Sequence, residues 1–383
     1  MKEKMNILVI PTTDWIKHPV PNRLNFIFDI LAEEHQIFVL HFRLKVFQDL
    51  ISRETKCSLI ETGWKDVEDP SLYYLLNCPS HFKSIKDVIE EEEIDVVLSA
   101  NILPSFLANF FKRPIVFDYL DHLEESASIY YPGTALGKLV KDCVRLVTRY
   151  NLRKAQSIIT VTDELARFLQ GIGIRDAAVI PNGVDTLLLK PIPIEKAKEE
   201  LGLDGKVIGY VGSLEHWVDL ETVIEALPRL DVTLLVVGPG LFTDYAKKLE
   251  SLARSFHVEN KIKFVGAVEY SELDLYISAM DIGLNPLKRM KKNEYAAGGK
   301  VFNYLSCGRP VLSSRMVSLE RLLGNEIFYY DDVGSFINQV KSILKMSHDE
   351  RSLRLVAERF DWRIIAHKYE FVLRKAIKDA SKN

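Results

Sequence analysis

Short apolar runs alternate along this chain with longer stretches whose apolar residues recur at helical spacing. In the first half, Asn6–Pro11, Gln36–His41, Asp95–Ser99, Pro114–Tyr119, Ser157–Thr162 and Ala178–Pro181 predict strands. Most lack polar alternation, the pattern of strands buried on both faces of a parallel sheet. Between the first two, Pro21–Glu34 sets Leu24, Ile27, Phe28 and Leu31 on one helical face. Strand, helix, strand in that order predicts a right-handed crossover unit.

The second half repeats the grammar with Lys206–Gly212, Val232–Gly238, Lys261–Gly266, Asp281–Pro286 and Pro310–Ser313 as strands. Leu220–Leu230, Tyr245–His257 and Leu273–Ala279 carry helical periodicity between them. Leu187–Pro193 reads as an extended connector, because each proline turns its predecessor away from helix. The expected division is therefore residues 1–188 and 189–362, both Rossmann-like. A last helix over Asp361–Ala380 has Trp362, Ile365, Tyr369, Val372 and Ile377 near one face.

Composition narrows the function classes. The 383 residues carry a formal net charge of −3, against the basic balance usual in nucleic-acid binders, so no nucleic-acid partner is expected. Cys57, Cys78, Cys143 and Cys307 are scattered without a Cys-x-x-Cys pair, which argues against a disulfide framework or a zinc site and for a reducing, cytoplasmic setting. No run approaches the ~18 apolar residues of a membrane span, so membrane contact would be peripheral. The acidic run Glu90–Glu93 reads as a solvated helix end.

Three segments carry candidate chemistry. Tyr210-Val-Gly-Ser-Leu214 is a buried strand ending in Gly212 and Ser213, where a glycine lets a ligand approach the backbone. Pro181-Asn-Gly-Val-Asp185 puts Asn182 in a turn close to the expected domain boundary. Most informative is Gly298-Gly-Lys-Val-Phe-Asn-Tyr-Leu-Ser-Cys-Gly-Arg-Pro310. Gly298 and Gly299 open a helix, so the amides of Gly299 and Lys300 face outward where a phosphate is favoured, and Lys300 adds a full positive charge. Asn303, one turn on, would reach a ribose or sugar hydroxyl. The segment is not a Walker motif, so a nucleoside triphosphatase is not expected. In the first half, Val116-Phe-Asp-Tyr-Leu-Asp-His-Leu-Glu-Glu125 ends a strand with Asp118, Asp121, His122 and Glu124.

In their order along the chain, the Gly212 turn, the Pro-Asn-Gly-Val-Asp box, Asp281-Ile-Gly-Leu-Asn-Pro286, Lys300-x-x-x-Tyr304-Leu-x-x-Gly-x-Pro-Val and Phe360-Asp-Trp362 resemble the group 1 (family four) glycosyltransferases. The resemblance implies an α/β fold of the GT-B type, with two facing Rossmann-like domains and a cleft between them. It implies that the second domain binds a nucleotide sugar and that the last helix returns to the first domain. The chain also departs from the family. Ser213 and His216-Trp217 stand where an Arg and a Lys neutralise the diphosphate, and Tyr295, beside Glu294, and Asn303 replace the usual glutamate pair. In this it is similar to a divergent branch of bacterial surface-polysaccharide enzymes and glucuronosyltransferases that rely on one lysine.

The donor-binding set so implied is Gly212, Ser213, Asn182, Glu294, Gly298, Gly299, Lys300, Asn303 and Tyr304. Asp121 is the first candidate for general base because it matches an Asp of the similar inverting enzymes, and Asp118 is the second. The expected activity is sugar transfer from a donor linked to uridine diphosphate (UDP) to a glycan or lipid-linked acceptor, with no cofactor and no metal. A sugar-nucleotide epimerase and an inactive sugar-nucleotide-binding subunit are the rival readings. Lys138, Lys141, Arg145, Arg149 and Arg153 recur beside Leu139, Cys143, Leu146, Val147 and Tyr150 as a basic amphipathic helix that could lie on anionic lipid at the inner face of the cell membrane.

Overall fold

The computed structural model describes residues 4–124, 134–174, 176–240, 243–296 and 298–382. The chain divides into two compact units, Met1–Pro181 with Arg363–Asn383, and Asn182–Trp362. The division thus falls at 181/182 rather than 188/189. The connector Leu187–Pro193 is bonded into the second unit: the Asp185 carboxylate accepts from the amides of Leu187 and Leu188, and Ile192 N donates to Ser278 Oγ at 3.0 Å. Prolines make this stretch extended without making it a hinge.

In the first unit seven parallel strands form one sheet in the order β3-β2-β1-β4-β5-β6-β7. They are β1 (Asn6–Ile10), β2 (Gln36–Phe42), β3 (Ser58–Thr62), β4 (Val96–Ser99), β5 (Ile115–Tyr119), β6 (Ser157–Thr160) and β7 (Ala177–Val179). Ile7, Leu8, Val9 and Ile10 of β1 are fully enclosed, as the unbroken apolar run requires. Strand β6 stops earlier than the Ser157–Thr162 reading, because Thr162 caps the helix Asp163–Gly171 by accepting from Leu165 N. The last helix, Trp362–Ala380, contributes Tyr369 to the core of this unit, where its ring meets Phe28 edge-on at 6.5 Å.

The second unit holds six parallel strands in the order β10-β9-β8-β11-β12-β13. These are β8 (Val207–Val211), β9 (Thr233–Val237), β10 (Ile262–Gly266), β11 (Ile282–Asn285), β12 (Val311–Ser314) and β13 (Phe328–Tyr330). Strands β3 and β13 were not expected from the sequence. Both are partly solvated edge strands: Ser58–Thr62 is broken by polar residues, and Phe328–Tyr330 is only three residues long.

Strand order reverses once in each sheet, between β1 and β4 and between β8 and β11. Ligands of open α/β sheets bind at the carboxyl ends of the strands beside such a reversal.

Candidate donor site at the end of β8

At the reversal in the second unit, the turns after β8, β9 and β10 are stitched together. Gly212 N donates to Val237 O at 2.9 Å, and Gly238 N donates to Gly266 O at 2.7 Å. Gly212 and Gly238 have φ of +142° and +130°, accessible without strain only to glycine. A Cβ on Gly238 would stand 2.2 Å from the Gly212 carbonyl oxygen, and one on Gly212 would stand 3.1 Å from Lys300 Cε. The glycines therefore let the backbone turns nest and leave room for the Lys300 side chain. Gly238 escaped the sequence reading as a site residue. Its Gly-Pro-Gly context signals only a turn, and what makes it matter is Gly212, distant in sequence.

Gly299–Ser306 is the helix that follows β11, and it begins where the two glycines predict. Lys300 is half-buried, and its Nζ lies 4.9 Å from the centroid of the Tyr210 ring. Among the described residues no hydrogen bond or ion pair engages that ammonium. Loss of water pushes its pKa down from 10.5 to about 8. A cation at a helix start, over a glycine turn, has the chemistry that an anion would satisfy. Beside it, the buried Asn285 Oδ1 has no hydrogen-bond partner among the described residues and would lie 2.9 Å from a Cβ on Gly298. Asn285 stands within the Asp281–Pro286 motif, yet its role could be found only from the fold.

The remaining predicted donor residues separate. Asn182 comes to the helix start, its Cβ 3.8 Å from a Cβ built on Gly299, and Asn303 is half-buried one turn further along. Ser213 is half-buried, and its carbonyl accepts from Tyr210 Oη at 2.8 Å. Glu294 is exposed in the single turn Asn293–Tyr295 that leads to Gly298. Tyr304 must be corrected. It is fully buried, its hydroxyl donates to Leu284 O at 3.0 Å and accepts from Val211 N at 2.8 Å, and its ring fills the space left by Gly283. It braces the helix against β8 and β11 and has no free polar atom for a donor.

In the first unit the two aspartates part company. Asp118 lies on β5 and is 1% exposed. It accepts from Tyr369 Oη at 2.5 Å and faces Arg23 Nε at 3.8 Å. Burial raises its pKa, against the opposing pull of Arg23 and Tyr369. This carboxylate is a core group, which removes it from the candidate bases. Asp121, just past the strand, is half-buried, and its Oδ1 accepts from His122 N at 2.7 Å. His122 is buried with its ring 4.6 Å from that of Phe168, and Glu124 pairs with Arg145 at 2.9 Å. Glu125 lies outside the described residues.

Two Rossmann-like units, each a parallel sheet, are the architecture of the GT-B glycosyltransferases. The model for "Glycosyl transferases group 1" matches residues 205–346, and that for "Glycosyltransferase Family 4" matches residues 58–187. The chain belongs to this glycosyltransferase family. It is 27% identical over 197 residues to 2-deoxystreptamine glucosyltransferase of Streptomyces kanamyceticus, covering 48% of this chain and 49% of the relative, about half that relative's length. Among solved structures, sucrose-phosphate synthase of Thermosynechococcus elongatus superposes with a TM-score of 0.77 at 17% identity, over 98% of this chain and 100% of the other. HepE of Anabaena, solved in complex with UDP, superposes with a TM-score of 0.72 at 21% identity, over 97% and 100%.

Proposed function

We propose that this chain transfers a sugar from a UDP-linked donor to a glycan or lipid-linked acceptor in the assembly of a cell-surface polysaccharide. The observation that carries the reading is Lys300: a half-buried ammonium with no counter-charge among the described residues, at a helix start beside the glycine turn after β8. A departing diphosphate supplies the missing negative charge, and the outward amides of Gly299 and Lys300 add hydrogen bonds that strengthen as that charge develops. The UDP bound to HepE supports uridine as the nucleoside. With a lysine and amides at the leaving group, no metal is needed there, and transfer should survive chelation by EDTA.

The test is incubation with UDP-sugars, followed by assay of released UDP and of the sugar. A transferase releases UDP slowly without acceptor and faster with one. Conversion of the donor sugar without UDP release would instead identify an epimerase, and binding without any turnover would identify an inactive partner subunit.

A peripheral membrane contact fits the same role. On the helix Ala135–Lys154 the outward stripe is apolar: Leu139, Leu146 and Tyr150 are exposed, Leu146 by 71%. Tyr150 continues through Phe106 (5.2 Å) and Phe110 (5.5 Å from Phe106) to Phe82 (6.2 Å from Phe110). Lys83, Lys86, Lys112, Arg113, Lys138 and Arg153 are exposed along the same stretches of chain, Lys86 in an ion pair with Glu90. Arg145 is not part of that outward charge, because it is engaged by Glu124 and Asp142. None of the described helices is long and apolar enough to cross a membrane. Leu146→Glu with Lys138→Glu should abolish flotation with vesicles containing phosphatidylglycerol and leave UDP affinity unchanged. Parent protein that fails to float even at low salt would refute the membrane contact.

A further inference from the structure

Two loops flank the strand reversal of the second unit, Ser213–Asp219 after β8 and Leu287–Ala296 after β11. The second of them leads to Gly298 and so sets where Lys300 stands. They are tied along their length: Val218 bridges Leu287, Asp219 N donates to Pro286 O at 3.0 Å, and Lys288 N donates to Trp217 O at 3.0 Å. Asn293 closes this arrangement. Its Nδ2 donates to Trp217 O at 2.9 Å and to Lys288 O at 2.8 Å, one carbonyl in each loop. Its own amide donates to Met290 O at 2.9 Å, and its carbonyl accepts from Ala296 N at 3.0 Å. It is 2% exposed. Next to it, Lys292 Nζ rests 3.7 Å from the centroid of the Trp217 ring. Beyond it, Ala296 O is held by Ser318 Oγ at 2.7 Å.

The geometry points to Asn293 as a positioning residue for the diphosphate, with the Lys292–Trp217 stack as its outer half; the inference rests on the reading of Lys300 given above. Asn293 touches no donor atom. It acts by fixing the Leu287–Ala296 loop to the Ser213–Asp219 loop, so that Lys300 and the helix-start amides stand over the end of β8 before a ligand arrives. Only a side chain with two N–H donors serves two buried carbonyls at once. Aspartate would set a carboxylate against both oxygens, and an apolar residue would remove the tie, leaving Trp217 O with Lys288 N alone and Lys288 O with Met290 N alone.

The experiment compares UDP with uridine by calorimetry for the parent protein, Asn293→Asp, Lys292→Met, Lys292→Arg and, as a control on the site itself, Lys300→Ala. Thermal melts run alongside. Asn293→Asp is expected to weaken UDP binding by about tenfold, the scale of a lost buried hydrogen bond, and uridine by less than about twofold. Lys292→Met should weaken UDP by a few-fold, and Lys292→Arg should restore it, because arginine also stacks on an indole. Equal losses for UDP and uridine in Asn293→Asp would make Asn293 a fold residue and overturn the proposal. Parent-like UDP binding in Asn293→Asp, with Lys300→Ala impaired, would also overturn it while leaving the diphosphate site standing. Should Asn293→Asp fail to melt cooperatively, the lysine pair decides: Lys292→Met binding UDP like the parent sinks the proposal. An unaffected Lys300→Ala would instead refute the diphosphate site.

Discussion

Lys300→Ala is expected to lower UDP affinity by roughly ten- to a hundredfold while changing uridine affinity by less than about twofold, because the lost contact is a charge-assisted bond to phosphate. Calorimetry with the two ligands reads the split, and equal losses would take Lys300 out of the diphosphate site. The same residue sets a pH dependence. Burial holds its pKa at about 8 in the free protein, so its charge is present below that pH and lost as pH rises through it. UDP affinity of the parent should therefore change little from pH 7 to 7.5 and fall by about fivefold from pH 8 to 9, since bound phosphate requires the protonated amine. Lys300→Ala should show no such fall. A parent profile that stays flat to pH 9.5 would mean the ammonium has a counter-charge in solution.

Asp121→Asn should cut the rate of transfer by ~10²–10⁴ with UDP affinity intact, the effect expected when a general base for the acceptor hydroxyl is lost. The substitution keeps size and the capacity to accept from His122 N, so a rate effect reports basicity. Asp118→Asn should behave differently. It removes the charge opposite Arg23 under Tyr369, so the expected result is a lower melting temperature with residual turnover per folded molecule close to that of the parent. A normal rate in Asp121→Asn with a collapsed rate in a fully folded Asp118→Asn would move the base to β5. Normal rates in both, with retention of the donor's anomeric configuration, would refute an inverting mechanism altogether.

What the sequence made legible follows from how local each signal is. Interior strands such as β1 and β8 announce themselves because burial on both faces demands unbroken apolar runs. The edge strands Ser58–Thr62 and Phe328–Tyr330 do not, since water covers part of each. Lys300 was visible because glycines opening a helix and a cation after them are neighbours in the chain. Tyr304, four residues on, is grouped with it by the family resemblance, yet its ring is claimed by Gly283 and its hydroxyl by two backbone groups from different strands. Asp118 and Asp121 stand three residues apart in one motif and receive opposite environments, because the first is inside the sheet and the second has left it. Gly238, Asn285 and Asn293 matter only through partners brought near by folding, so no window of sequence reveals them.

The helix that carries Tyr369 gives the first unit an unusual birth. Its strands are all made before residue 182, yet the hydroxyl that binds Asp118 and the ring that lies 5.2 Å from the Arg23 guanidinium arrive only after the whole second unit has been translated. During that interval a buried-to-be carboxylate and the aromatic seat beside Phe28 are open to water and to other chains, the condition under which nascent proteins call on chaperones. The second unit, by contrast, is one uninterrupted stretch and can fold while still tethered to the ribosome. Translation pauses within the helix Trp362–Ala380 would thus act on the quality of the first unit, although its strands are all encoded before residue 182.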